Sequence, residues 1–238
     1  YGAYALLIII PCAILLAQPD FGMTCTVAFT GALLFFIVHF NMAEFLLLIG
    51  AAAASCTALI VWYPYRLRRI MIFLNPWNDP QGAGFQVIQS LIAIGSGGLW
   101  GAGIGASKQK FFYLPMQHTD FIFSIIAEET GFIGCTLLIM LFAAFTYYGM
   151  RIAWQMKNLF ASLCTVGFVM LVTVQALINC SVALGLVPTK GVGLPFVSYG
   201  NSALISALWF VGIIIRATYA SAYQRTNNYQ PSAAYSAQ

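Results

Sequence analysis

Residues 121–150 read FIFSIIAEETGFIGCTLLIMLFAAFTYYGM. This stretch decides the fold class. Its only charged residues are Glu128 and Glu129, and it contains no proline. It exceeds the roughly 20 apolar residues that a helix needs to cross the hydrocarbon core of a bilayer. Outward from it, apolar runs recur at residues 3–17, 23–40, 45–63, 159–184 and 203–219. A β-barrel would show shorter alternating segments, which are absent.

The composition agrees. Of 238 residues, 61% are hydrophobic and 7% charged, and the mean hydropathy is +0.86. A soluble domain is about half apolar and one quarter charged. A water-soluble globule, a disordered chain and a nucleic-acid-binding domain are therefore excluded. The net charge of +4 is what juxtamembrane Lys and Arg contribute. The six cysteines are scattered singly with no CxxC pair, which suits apolar packing. The chain opens at Tyr1 inside a hydrophobic run, without Met, a basic n-region or a cleavage signal. The expectation is that an N-terminal part precedes it.

The predicted fold is an all-α, polytopic transmembrane helical bundle of six spans. It is one domain over residues 1–220, followed by a polar, disordered tail at 221–238. Connections at 18–22, 64–119 and 185–200 share one side of the membrane. The large loop, 64–119, is rich in Gly and Pro, and its Gly82–Gly105 portion reads as an interfacial or re-entrant segment. Gly101-x-Gly103-x-Gly105 does not match a dinucleotide fingerprint and reads as loop flexibility and close helix packing. Arg66, Arg68, Arg69, Lys108, Lys110 and Lys190 lie on the side of the large loop, and Arg151, Lys157, Arg216 and Arg225 on the other. Charge alone leaves the orientation open.

Polar residues at membrane depth are costly, so each one is informative. Asp120 stands at the start of the fourth span. A carboxylate there suits a helix cap, or a general base held ionised by the helix dipole. Glu128 and Glu129 fall about 80° and 180° round the helix from Asp120, so they do not both share its groove. One is expected to pair with a basic group or face a polar cavity. The basic residues beside Asp120 suit either lipid headgroups or a phosphorylated lipid. Gln175 and Asn179, at i and i+4, share a face and suit hydrogen bonding between helices or substrate contact. His118 orients the loop or touches substrate. No metal-ligand spacing and no phosphate-binding loop is present.

Eight blocks in order carry a resemblance. They are Gln18-Pro19-Asp20-Phe21-Gly22, Pro64-Tyr65-Arg66-Leu67-Arg68-Arg69, Asn75-Pro76-Trp77-Asn78-Asp79-Pro80 and Gly84-Phe85-Gln86-Val87-Ile88-Gln89-Ser90. The others are His118-Thr119-Asp120-Phe121-Ile122-Phe123, Glu128-Glu129 with Gly131, Pro188-Thr189-Lys190-Gly191 and Leu194-Pro195-Phe196-Val197-Ser198-Tyr199-Gly200. The sequence resembles the SEDS family (shape, elongation, division and sporulation: FtsW, RodA, SpoVE) across nearly its whole length. Asn-Pro-Trp and Pro-Thr-Lys-Gly are most like the division branch, FtsW.

The resemblance implies ten spans with both termini cytoplasmic, of which this chain holds five to ten, in the bacterial inner membrane. The large loop is then extracytoplasmic. It implies a peptidoglycan glycosyltransferase that polymerises lipid II, with undecaprenyl pyrophosphate leaving. The family's essential loop aspartate falls on Asp120, as general base. Lys190, Arg66, Arg69, Lys108 and Lys110 are candidates to neutralise the pyrophosphate, and His118 and Ser198 to contact substrate. The sequence shows no ligand set for a cofactor, and a divalent cation sharing that neutralisation stays open. The implied partners are lipid II, a class B penicillin-binding protein, other division proteins and membrane lipids. Small residues Ala161, Ser162 and Gly167 offer contact points for the partner's membrane helix. Met116 stands where the family often has Glu, and Asn201 and Ala203 depart from its Gly and Ser. The alternatives are a lipid II flippase, a RodA-like elongation polymerase and a division scaffold.

Overall fold

The computed structural model describes residues 2–18, 20–39, 41–62, 64–82, 84–107, 120–189 and 191–227. Among them there is no strand. The helices are α1 (Gly2–Ala17), α2 (Phe21–His39), α3 (Met42–Trp62), α4 (Pro64–Leu74), α5 (Phe85–Gly97), α6 (Ile122–Gln155), α7 (Leu159–Ala183) and α8 (Asn201–Asn227). A 3-10 turn at Pro76–Asn78 joins α4 to α5.

Short polar connections start the next helix by capping it. Asp20 Oδ1 accepts the Met23 N–H at 3.0 Å. Asn41 Oδ1 accepts the Ala43 N–H at 3.1 Å. Asn158 Oδ1 accepts those of Phe160 and Ala161. Each satisfies N–H groups that the first helical turn leaves without a partner.

α7 is the central element, touching α2, α5, α6 and α8. A third (33%) of its most apolar window is buried, against 6% in α6 and 11% in α8. The outer helices turn large apolar side chains outward: Phe132, Leu137 and Trp154 of α6 and Trp209 of α8 are all more than half exposed. Water would not tolerate that surface, and lipid would. Inside, hydroxyls satisfy themselves on their own helix. Thr26, Thr30, Thr165 and Thr173 each donate to a carbonyl four residues back. Thr146 of α6 and Thr173 of α7 also bond each other at 2.7 Å.

α6, α7 and the Asn201–Tyr219 part of α8 are long and apolar enough to cross a membrane. Shorter apolar stretches occupy α1, α2, α3 and α5. The chain is thus a helical membrane protein with three full-length apolar helices among the described residues, where the sequence reading expects six spans. The last helix also runs into the polar tail, where the sequence reading expects disorder from residue 221. α8 continues to Asn227, because Ala, Gln and Arg are good helix formers. Two of the small residues offered to a partner helix are engaged within the bundle. The Ser162 hydroxyl donates to the Ala153 carbonyl, and Gly167 packs against Leu34 of α2.

The glycine-rich part of the large loop is a folded element. α5 buries Val87, Ile88, Ser90, Ala93 and Gly97, mainly against α6. Gly131 then interrupts α6 with φ +65°. Residues 98–103 enter that interruption. Ala102 and Gly103 donate to the carbonyls of Glu128 and Glu129 at 2.9 and 3.0 Å. Phe132 and Ile133 donate to the carbonyls of Gly98 and Leu99 at 2.9 and 3.3 Å.

Candidate functional site

Asp120 precedes α6 by two residues, and the N-cap position of that helix falls on Phe121. Asp120 lines a cavity of about 450 Å³ bounded by α2, α7, α8 and the 185–200 loop. Met23, Gln175, Ser198, Tyr199 and Phe210 line it as well. Its lining mixes amide and hydroxyl side chains with apolar ones. A Cβ on Gly191 would lie 3.5 Å from Asp120 Oδ2, so the loop backbone approaches the carboxylate closely.

Asn179 fixes this arrangement. It is 1% exposed. Its amide donates to the Asp120 carbonyl at 2.9 Å and to the Val192 carbonyl at 2.7 Å. One side chain of α7 therefore ties the start of α6 to the loop beside it. The Asn179 Oδ1 atom is buried with no hydrogen-bond partner among the described residues, a cost of about 1–3 kcal/mol that the two amide bonds offset. One helical turn away, Gln175 faces the cavity. The i, i+4 pair thus divides its work between holding the site and lining it.

The 194–198 segment closes on itself. The Leu194 N–H donates to Ser198 Oγ at 2.6 Å, and the Ser198 N–H to the Leu194 carbonyl at 2.9 Å. Phe196 sits in the left-handed region, φ 63°, uncommon for a bulky residue. Its ring meets Phe145 of α6 edge-on at 6.0 Å. This packing holds the turn whose Ser198 borders the cavity.

Other expected residues fall elsewhere. The Arg69 Nη1 group donates to the Thr189 carbonyl at 3.0 Å. Arg69 lines a separate cavity of about 320 Å³ with Gln81, Gln86 and Thr189. It therefore ties α4 to the 185–200 loop. Glu128 is 4% exposed and accepts from the Ser107 hydroxyl. Neither Glu128 nor Glu129 lines the Asp120 cavity. Lys108, Lys110, His118 and Lys190 lie outside the described residues, as does the side chain of Arg66. Among the described residues, no three His, Cys, Asp or Glu side chains lie together as a metal site.

Sequence reasoning missed the insertion of residues 98–103 into α6 and the contacts of Gly191, Tyr199 and Phe210. The signal for the insertion was available: a glycine at 131 inside an apolar helix, and glycines at 97, 98, 101 and 103.

Similarity to known proteins follows the same outline. The family model for FtsW, RodA and SpoVE, described as "Cell cycle protein", matches residues 2–223. Stage V sporulation protein E of Bacillus subtilis is 43% identical over 210 residues, which is 88% of this chain and 57% of that protein. A probable peptidoglycan glycosyltransferase FtsW of Thioalkalivibrio sulfidiphilus is 44% identical over 206 residues, 85% of this chain and 52% of that one. The chain thus spans little more than half the length of these curated relatives. Among solved structures, one described as "Structural coordination of polymerization and crosslinking by a peptidoglycan synthase complex" superposes with TM-score 0.73 at 32% identity. It covers 97% of this chain and 63% of that one. The rod shape determining protein RodA of Thermus thermophilus superposes with TM-score 0.62 at 28% identity, covering 93% of this chain and 56% of that one.

Proposed function

Because the chain belongs to the FtsW, RodA and SpoVE family, we propose that it forms the catalytic part of a peptidoglycan glycosyltransferase that polymerises lipid II during bacterial cell division. The observation that carries this reading is the placement of Asp120 on a cavity of about 450 Å³, with its backbone pinned by Asn179.

The reaction is a single displacement. Asp120 accepts the proton of the acceptor's GlcNAc 4-hydroxyl. The oxygen attacks the anomeric carbon of the donor's MurNAc, and undecaprenyl pyrophosphate leaves with inversion. One carboxylate is enough, since a pyrophosphate leaving group needs its charge neutralised more than it needs a proton. Lys190, Arg66, Lys108 and Lys110 are the groups proposed for that neutralisation. Arg69 acts indirectly, by holding the Thr189 end of the loop. Gln175 and Ser198 contact the saccharides, and the apolar lining, with Phe210, lies along a polyprenyl tail. No step is routed through a metal.

In the proposed setting the chain supplies spans five to ten of ten in the inner membrane. Residues 64–119 face outward, the C-terminus is cytoplasmic, and a class B penicillin-binding protein is the partner. The test is lipid II polymerisation by the full-length protein with that partner, comparing wild type with Asp120→Asn. Glycan chains from wild type and none from the variant, at equal partner binding, support the reading. Equal polymerisation by both refutes Asp120 as base. Lipid II translocation without polymer from either favours a flippase.

A further inference from the structure

The outer part of α6 is bonded to α5 along its length. Ser90 Oγ of α5 meets Ser124 Oγ of α6 at 2.5 Å. Ala93 packs with Phe121 and Val182 in a buried cluster. Gly97 lies against the Ala127 carbonyl, where a Cβ would collide. Beyond α5, residues 98–103 replace helix rungs. In an uninterrupted helix, Phe132 N–H pairs with Glu128 O and Ile133 N–H with Glu129 O. Here the loop takes all four groups, so none of the four is left to hydrocarbon. A Cβ on Gly101 would collide with the Glu129 carbonyl, and one on Gly131 with the Gly101 nitrogen. Both faces of the junction therefore require glycine, and Gly131 also requires it by its φ of +65°.

Asp120 sits at the far end of this outer segment, directly before Phe121. Its helix is continuous with α5 through hydrogen bonds and packing, and is separated from residues 132–155 by a left-handed residue. We propose that α5 and its 98–103 insertion set the position of Asp120, with Gly97, Gly101 and Gly131 as positioning residues. The inner two-thirds of α6 serves as a fixed wall. The proposal rests on the reading of Asp120 as the base.

The experiment uses the full-length protein with its transpeptidase partner, its native cysteines replaced by alanine. Leu99→Cys and Ile133→Cys are introduced together. Their backbones bond at 3.3 Å, and both side chains are exposed, 66% and 47%. Oxidation is expected to cross-link the pair and leave the polymerisation rate unchanged. Adding Gly131→Ala is expected to expel the loop. Cross-linking is then lost and kcat falls about 100-fold, the penalty for roughly 1 Å of misplacement, while KM changes little. If Gly131→Ala does not fold, Ala102→Pro, which deletes the N–H on the Glu128 carbonyl, is expected to give a smaller loss of the same kind. Loss of cross-linking with kcat retained overturns the proposal. So does a disulfide that stops turnover until it is reduced, because the insertion would then have to open in each cycle. Full activity of Asp120→Asn removes the base assignment instead, and is read separately from the cross-link.

Discussion

At the residue scale, two side chains carry the candidate site in different ways. Asp120 lines the cavity, and Asn179 holds the Asp120 and Val192 carbonyls beside it. Replacing Asp120 with Asn keeps the shape and removes the base. Polymerisation should fall by about 10²- to 10⁴-fold, the usual worth of a general base, with an unchanged melting temperature. Lipid II polymerisation assays and thermal unfolding check the two halves. Asn179→Ala acts the other way. It strands the carbonyls of Asp120 and Val192, each worth about 1–3 kcal/mol when buried without a partner. It should lower both the melting temperature and the rate. An Asn179→Ala protein with wild-type stability would show that the tie between α7 and the loop contributes nothing. From its place before an apolar run, Asp120 read as either a helix cap or a base, and only the family resemblance favoured the base. The role of Asn179 was half legible: its face was predicted, but its acceptors lie 59 and 13 residues away, and no local pattern encodes them.

At the element scale, the broken helix matters most. The amides of Phe132 and Ile133 sit next to an interruption, where fraying is ordinarily expected. The loop pairs both, so they should exchange hydrogen slowly, as interior helix amides do. Fast exchange at these positions in the membrane-embedded protein would mean that the insertion does not persist. The 185–200 loop is a second such element. Arg69 pins it at Thr189, and the 194–198 turn closes its other end. Arg69→Gln should weaken polymerisation while leaving partner binding intact, because the change loosens the loop beside Asp120. Activity equal to wild type would separate Arg69 from the site. The glycine pattern announced a close approach. Which carbonyl each glycine meets depends on two segments about 30 residues apart in sequence, so the partners could not be read from spacing.

At the scale of the whole molecule, the bundle is organised round α7, and packing against it is asymmetric. Gly149 of α6 faces Val169, which is fully buried, and a Cβ there would come within 2.5 Å of Val169 Cγ2. Gly149→Leu should force α6 from α7 and cost about 1–3 kcal/mol or more, as overpacking does. Leu177, 60% exposed on the same central helix, should tolerate Ala with a change of about 0.5 kcal/mol or less. Thermal unfolding in one detergent or nanodisc compares the two. Similar losses at both positions would contradict the central placement of α7.

The sequence by itself determined the helical membrane class, the position of α6 to α8, the family and the candidate aspartate. These follow from run length, hydropathy and residue order, all of which are local properties of the chain. Tertiary structure alone decided that Glu128 pairs with Ser107, that Arg69 serves the loop, and that residues 98–103 complete a broken helix. It also extended α8 past the apolar run. The reason is the same in each case. A backbone carbonyl or amide looks alike at every position, so its partner is chosen by packing across the bundle, where the absence of water makes each unpaired group too costly to leave.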